Sequence, residues 1–171
     1  VHKKGKSHRA LFKHSENQLP LLSWKRSIFE PITGMNINIF SQCVKGKEYK
    51  FCQFVTLTRS AFSEFYNLFY GTHGKDVPSQ ISKLLIKPLS LAVWIMDDGA
   101  RDNVGLTLQT HSFTENGVKR LVKTLKSNFS LKTNLRKNKG KWIIYFPKTE
   151  IPKLWKIVRS HILPEYRYKK F

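Results

Sequence analysis

At 171 residues, with 40% hydrophobic side chains, the chain carries enough apolar material for one domain or two small halves, which excludes a disordered tail. Lys and Arg number 31 against 11 Asp and Glu, and the resulting charge of +20 strains a compact state unless a polyanion relieves it. Nucleic acid is the natural polyanion: no apolar run reaches the roughly 18 residues of a membrane span, and no Gly-rich phosphate loop, nucleophile elbow or cofactor motif is present.

In chain order, His8 to Ser15 reads as a strand-like stretch, and whether it contains a hairpin is left open. A helix is predicted from about Glu16 to Glu30, with Leu21, Leu22, Trp24, Ile28 and Phe29 as its apolar positions. Met35 to Phe40 alternates with period two, and Tyr49 to Thr58 is a mostly apolar strand. Lys45-Gly46-Lys47 supplies the turn chemistry between them. The next helix, Arg59 to Tyr70, places Phe62, Phe65, Tyr66 and Phe69 at helical spacing, a pattern that reads as core rather than as a base-stacking platform.

Pro88 to Gly99 is an uncharged apolar run that stops in Asp97-Asp98-Gly99. It is long enough for about three helical turns. Pro88 suits the first turn and Gly99 the position just past the end. Its apolar residues occupy every face, so a helix buried all round is expected. The acids are the anomaly, because a helix C-terminus repels anions. A core helix followed by a solvated turn is the plain reading. In a chain this poor in acids, two carboxylates set against the helix dipole point to a local task, such as holding a divalent cation with hard oxygens.

The order of elements then restarts. Gly105 to His111 reads as a strand, and His111-Ser112 echoes His14-Ser15. Thr114 is a good N-cap for an amphipathic helix to Phe129, with Val118, Leu121, Val122 and Leu125 on one face. Leu131 to Arg136 and Trp142 to Phe146 form a hairpin across Lys137 to Lys141, and a last helix runs from about Glu150 to Ile162. The division is therefore 1–87 and 88–171, with the Pro78-containing stretch Gly71 to Lys87 as the break. Cys43 and Cys52 lack CxxC spacing and read as buried free thiols in a reducing compartment, not as a zinc site.

Leu91-Ala92-Val93-Trp94-Ile95-Met96-Asp97-Asp98-Gly99 resembles the signature helix of LAGLIDADG homing endonucleases. Leu108-Gln109-Thr110-His111-Ser112-Phe113-Thr114 and the tail Leu163-Pro164-Glu165-Tyr166-Arg167-Tyr168-Lys169 are similar to the second half of the family's single-chain organellar branch. The resemblance implies an α+β fold of two pseudo-symmetric αββαββα halves whose antiparallel sheets form a saddle on DNA. It also implies Mg²⁺-dependent double-strand cleavage of a long, intron-associated site and an organellar location. By motif position Asp98 is the metal ligand, with Asp97 at a variable position. Lys75 and Lys169 stand where the family has a basic residue beside each active centre, and Gln109 and Thr110 lie within reach of the scissile phosphate.

Strand alternation supplies the expected DNA contacts. Lys132, Asn134 and Arg136 share one face, while Asn36 and Asn38 oppose Ile37 and Ile39. Lys45 and Lys47, with Lys139 and Lys141, put charge at two hairpin tips, and Lys3, Lys4 and Arg9 extend the set to the N-terminal strand. One departure is serious: residues 1–87 show no signature helix, and Val1 to Gly5 resembles the strand that should follow one. The resemblance requires an acid from each half. An N-terminal segment outside this sequence or a second polypeptide is expected to supply it, or the protein has lost cleavage. The alternative function is an RNA-binding descendant of the fold, an intron maturase or a ribosome-associated protein acting on structured RNA. A module that binds DNA without cutting it is a further rival.

Overall fold

The computed structural model describes residues 2–4, 7–34, 36–71, 74–103 and 105–169, with side chains from His8 onward. The chain forms two compact units, Val1–Leu68 and Phe69–Phe171. Their boundary falls ahead of the division placed after Lys87, because the intervening segment packs on the second unit. There the Asn128 amide donates to the carbonyls of Ser82 (2.7 Å) and Leu85 (2.9 Å). Among the described residues no helix is long and apolar enough to cross a membrane.

In the first unit the stretch around Ala10 splits into two strands. β1 (His2–Lys4) pairs with β2 (Ser7–Arg9), and β3 (Leu11–Ser15) joins a different sheet. A short 3-10 turn leads into α1 (Leu19–Ile28), which has proline in its first turn. β4 (Asn38–Val44) and β5 (Lys47–Val55) complete an antiparallel sheet of order β3-β5-β4. The face toward α1 is apolar: Leu22, Cys52 and Phe54 are buried, and Phe12 stacks on Phe54 at 4.7 Å between centroids. Lys25 of α1 is also buried, its ammonium 3.1 Å from His14 Nε2. That contact makes Nε2 the acceptor and leaves Nδ1–H to donate to Gln18.

Ile39 shares the inward face with Cys52 but stays 49% exposed, because β4 is the sheet's edge. Two expectations need correction here. Cys43, also on β4, is exposed, and only Cys52 is a buried thiol. α2 (Ser60–Phe69) contains no buried residue: Phe65 is exposed, and Phe62, Tyr66 and Phe69 are half-buried. Tyr66 stacks on His8 at 4.2 Å, so this helix lies beside β2 rather than inside a core.

The second unit opens with a short ribbon, β6 (Tyr70–Gly71) paired with β7 (Gly74–Lys75), and a single turn, α3 (Ile81–Leu84). α4 (Pro88–Asp98) buries Leu91, Ala92, Ile95 and Met96, while Val93 and Trp94 are half-buried, so it is covered along one side and not all round. β8 (Gly99–Asp102) follows at once, a strand with no counterpart in the sequence reading. β9 (Gly105–Leu108), α5 (Glu115–Phe129), β10 (Asn134–Asn138), β11 (Lys141–Phe146) and α6 (Ile151–Val158) complete an antiparallel sheet of order β10-β11-β9-β8 with its helices. Leu106, Leu108, Ile144 and Phe146 share one face of this sheet and form the core with Val118, Leu121 and Leu125 of α5. Thr114 caps α5, its hydroxyl accepting from the Gly117 amide at 3.0 Å.

The two long hairpins turn identically. Lys45 and Gly46 have φ of 51° and 78°, and Lys139 and Gly140 have 49° and 76°, so both central residues of each turn are left-handed. This is the type I′ corner that matches the strand twist.

Candidate active site and nucleic-acid interface

α4 delivers its acids to the sheet without an intervening loop. The Gly99 amide closes the helix on the Ile95 carbonyl, and Gly99 then takes an extended conformation (φ −76°, ψ 132°) as the first residue of β8. Glycine is needed for space rather than for a left-handed turn, because a Cβ there would strike the Ile95 carbonyl oxygen. Asp97 is half-buried and Asp98 exposed. The Asp98 carbonyl accepts the Gln109 amide at 3.0 Å, which ties the end of α4 to the loop after β9.

Lys169 answers the unfavourable dipole. Only 6% exposed, it donates from Nζ to the carbonyls of Ile95 (3.0 Å) and Met96 (2.8 Å). The Ile95 carbonyl already accepts the Gly99 amide and takes the ammonium as a second donor, and a cation at the last turn of a helix is favourable. Burial pushes the Lys169 pKa below the ordinary lysine value, and the Asp97 and Asp98 carboxylates pull it back up. Its ammonium therefore sits inside the protein beneath the acid pair.

The other expected residues of the centre divide. Gln109 turns its amide inward, with Nε2 3.4 Å from the Thr107 hydroxyl and Oε1 buried without a partner. Thr110 is fully buried, and its hydroxyl donates to the Trp142 carbonyl at 2.7 Å, so it pins the loop and cannot reach a phosphate. Lys75 is exposed on β7, its Nζ 5.7 Å from the centroid of Phe113 in the same loop.

Sequence reasoning missed the residue beside Lys75. The Asp76 carboxylate accepts from the Thr114 amide (3.1 Å) and hydroxyl (2.7 Å) and pairs with Arg120 (3.2 Å), whose Nε also donates to the Val77 carbonyl at 3.1 Å. Residue 117 is glycine where Asp76 presses closest: a Cβ there would overlap Asp76 Oδ1. Desolvation raises the Asp76 pKa, but the hydrogen bonds from Thr114 and Val77 and the charge of Arg120 outweigh it and hold the carboxyl below its ordinary value. The partners lie 38 and 44 positions away in sequence, so no local pattern marks them.

Among the described residues no group of three or more His, Cys, Asp or Glu could hold a metal ion. The donor set at the end of α4 is one exposed carboxylate. That does not suit zinc, but it fits a hard cation that keeps water ligands and takes phosphate oxygens from a substrate.

The sheets offer two polar faces. In the first unit Lys13, Gln53 and Asn38 lie in one row across β3-β5-β4, and Lys13 Nζ donates to Gln42 at 2.9 Å over the rings of Phe40 and Phe51. Asn36, Asn38 and Gln53 line a recess of about 680 Å³ with Arg26, whose guanidinium is 3.4 Å from Asn36 Oδ1. Asn36 precedes β4 rather than belonging to it. Lys13, Arg26, Gln42 and Gln53 escaped the sequence reading; alternation from Asn38 along β4 marks Gln42, but Gln53 needs the strand register. Lys45 and Lys47 are exposed at the hairpin tip, and Arg9 is half-buried on β2. The side chains of Lys3 and Lys4 lie outside the described residues.

In the second unit Asn134 and Arg136 share a face with Tyr145 and Ile143. Arg136 pairs with Asp102 at 3.4 Å and lies over the Tyr145 ring, 3.2 Å from its centroid. Lys132 does not belong to this row: its amide bonds to Glu150 at 3.1 Å, and β10 begins only at Asn134. Lys139 and Lys141 are exposed at the tip.

Comparison with known proteins agrees with this architecture. The LAGLIDADG DNA endonuclease family matches residues 1–154. The chain is 35% identical over 126 residues to the cytochrome b mRNA maturase bI2 of Debaryomyces hansenii, covering 72% of this chain and 48% of that protein. It is 32% identical over 125 residues to the intron-encoded endonuclease ai4 of Dictyostelium discoideum, covering 72% and 79%. The chain spans about half the length of the maturases it matches. The structure of the homing endonuclease I-WcaI bound to its DNA recognition sequence superposes with a TM-score of 0.90 at 24% identity, covering 100% of this chain and 78% of that one. The mixed α+β fold with antiparallel sheets is the fold of that protein. The chain belongs to the LAGLIDADG DNA endonuclease family.

Proposed function

We propose that this chain is part of an intron-encoded, organellar homing endonuclease that hydrolyses both strands of a long duplex DNA site with a divalent cation, Mg²⁺ by preference. The observation that carries the reading is the end of α4, where an exposed carboxylate is fixed against the sheet and backed by a buried lysine. Asp98 would hold the cation, which when bound supplies Lewis-acid stabilisation of the oxygens at the scissile phosphate. Lys169 is a positioning residue that holds the last turn of α4, and Gln109 fixes the adjoining loop through its amide. Lys75, exposed on β7, stabilises charge developing on the phosphate.

The polar sheet faces serve recognition. Asn38, Gln53 and Asn134 are suited to adenine and Arg136 to guanine in the major groove, and Asp102 orients Arg136. Lys45, Lys47, Lys139 and Lys141 meet phosphates, and Lys3, Lys4, Arg9 and Asn36 extend that contact. A lysine at the left-handed position of both corners pays a conformational cost that a charge contact repays. One acid serves one strand, so the second acid comes from a further segment or polypeptide. Similarity to cytochrome b mRNA maturases supports a second reading, binding of structured intron RNA.

The test uses DNA that spans the uninterrupted insertion site, with Mg²⁺. The protein in its complete reading frame cuts both strands. Asp98→Asn abolishes cutting and spares binding, and the 171-residue chain alone binds without cutting. Cutting by the Asp98→Asn protein removes the assignment. Tighter binding of intron RNA than of the DNA site favours the maturase reading.

A further inference from the structure

Three of the residues given roles above are joined by one hydrogen-bonded path. The Asp98 carbonyl holds the Gln109 amide, and the loop from Gln109 runs to Thr114 at the start of α5. Thr114 is bound through both its amide and its hydroxyl to Asp76, and Asp76 is the neighbour of Lys75. Arg120, in the second turn of α5, grips the same carboxylate and the Val77 carbonyl. The Asp76 amide in turn donates to the Phe69 carbonyl at 2.9 Å, which closes the β6–β7 ribbon.

Nothing about α5 itself requires this. The helix already has its side-chain cap in Thr114 and an acid in its first turn in Glu115, so Asp76 is a second acid at the same end. The surrounding sequence makes room for it, because glycine at position 117 leaves free the space that Asp76 Oδ1 occupies. Glycine in the first turn of a helix costs stability relative to alanine, so the fit has been obtained against local propensity. What the arrangement achieves is placement: β7 is two residues long and exposed, and the Asp76 carboxylate is the side chain next to Lys75 that ties it to α5.

We propose that Asp76 is a positioning residue that fixes Lys75 relative to the Asp98 end of α4, through Thr114, Arg120 and the cleft left by Gly117. The proposal rests on the endonuclease reading, in which Lys75 acts at the scissile phosphate. Asp76 touches neither substrate nor cation; it sets where the Lys75 ammonium can be.

A double-mutant cycle on the complete protein tests this under single-turnover conditions with saturating DNA. Lys75→Met and Asp76→Asn each slow cleavage by about tenfold or more, because small misplacement of a charge-stabilising group is costly in rate. The double variant is no slower than Lys75→Met alone, since Asp76 acts only through that lysine. Gly117→Ala, which displaces the carboxylate without removing it, reproduces the Asp76→Asn defect, and DNA affinity changes little in either. Independent additive losses, or a Lys75→Met protein as fast as wild type, overturn the proposal while leaving an active endonuclease in place. A wild-type protein that does not cut removes the endonuclease reading instead. Amide hydrogen exchange then reads the placement by itself: Asp76→Asn and Gly117→Ala both raise exchange across residues 74–77, and unchanged protection there overturns it.

Discussion

The Lys169 ammonium lies 2.8 Å from the Met96 carbonyl oxygen, inside the last turn of the helix that ends in Asp97 and Asp98. A buried cation thus faces the negative end of a helix dipole and two carboxylates at once. Each of the three is costly alone, and together they offset one another.

Lys169→Met is expected to leave the Ile95 and Met96 carbonyls without their side-chain donor. The loss should be about 1–3 kcal/mol. For a protein of this size each kcal/mol lowers Tm by roughly 2–4 °C. Thermal unfolding followed by circular dichroism measures it. An unchanged Tm would mean that water replaces the ammonium at no cost.

Gly99→Ala drives a methyl into the Ile95 carbonyl oxygen, a backbone atom held in the helix. The helix must unwind at its end or β8 must shift, at a cost of about 1–3 kcal/mol. Urea unfolding reads the loss. Gly46→Ala is a different case, because open space surrounds the added methyl there and only the positive φ penalises it.

Lys45→Asn and Lys139→Asn place the residue type that a type I′ corner prefers at the left-handed position. Each should stabilise by about 0.5–1 kcal/mol. If the tips meet phosphates, each also weakens DNA binding and reduces the slope of log K against log salt by about one. Binding isotherms across a salt series decide between a phosphate contact and a solvated tip.

Asp76 gives a pH signature. Its folded carboxyl titrates below the ordinary value of 3.8, so between the two values the unfolded chain binds more protons and stability rises with pH. The contribution is complete above 3.8 and is lost as pH falls through the lower folded value. Urea midpoints measured from neutrality into acid should fall more steeply at the acid end for the wild type than for Asp76→Asn.

Much of this architecture is written locally. The helix from Pro88, its stop at Gly99, the Thr114 cap and the hairpin tips each follow from residue chemistry within a few positions. The α+β class with antiparallel sheets came through the resemblance of the Leu91 to Gly99 motif and is the fold observed. What the sequence hides is burial and distance. The resemblance singles out the tail lysine at 169, but not its burial, which shows only when its ammonium is seen against carbonyls more than seventy positions away. Asp76 reads as part of a loop until Arg120 and Thr114 close on it. Strand faces were legible within β4, where Asn38 and Ile39 alternate, and failed at a strand end, where Lys132 falls just outside β10.

The passage from α4 into β8 at Gly99 has no slack. Gly99 pairs with Leu108 within the sheet, and Asp98 is its covalent neighbour. Any shift of β8 must therefore be felt by the Asp98 carboxylate as a displacement, so the sheet edge and the acid move together as one lever.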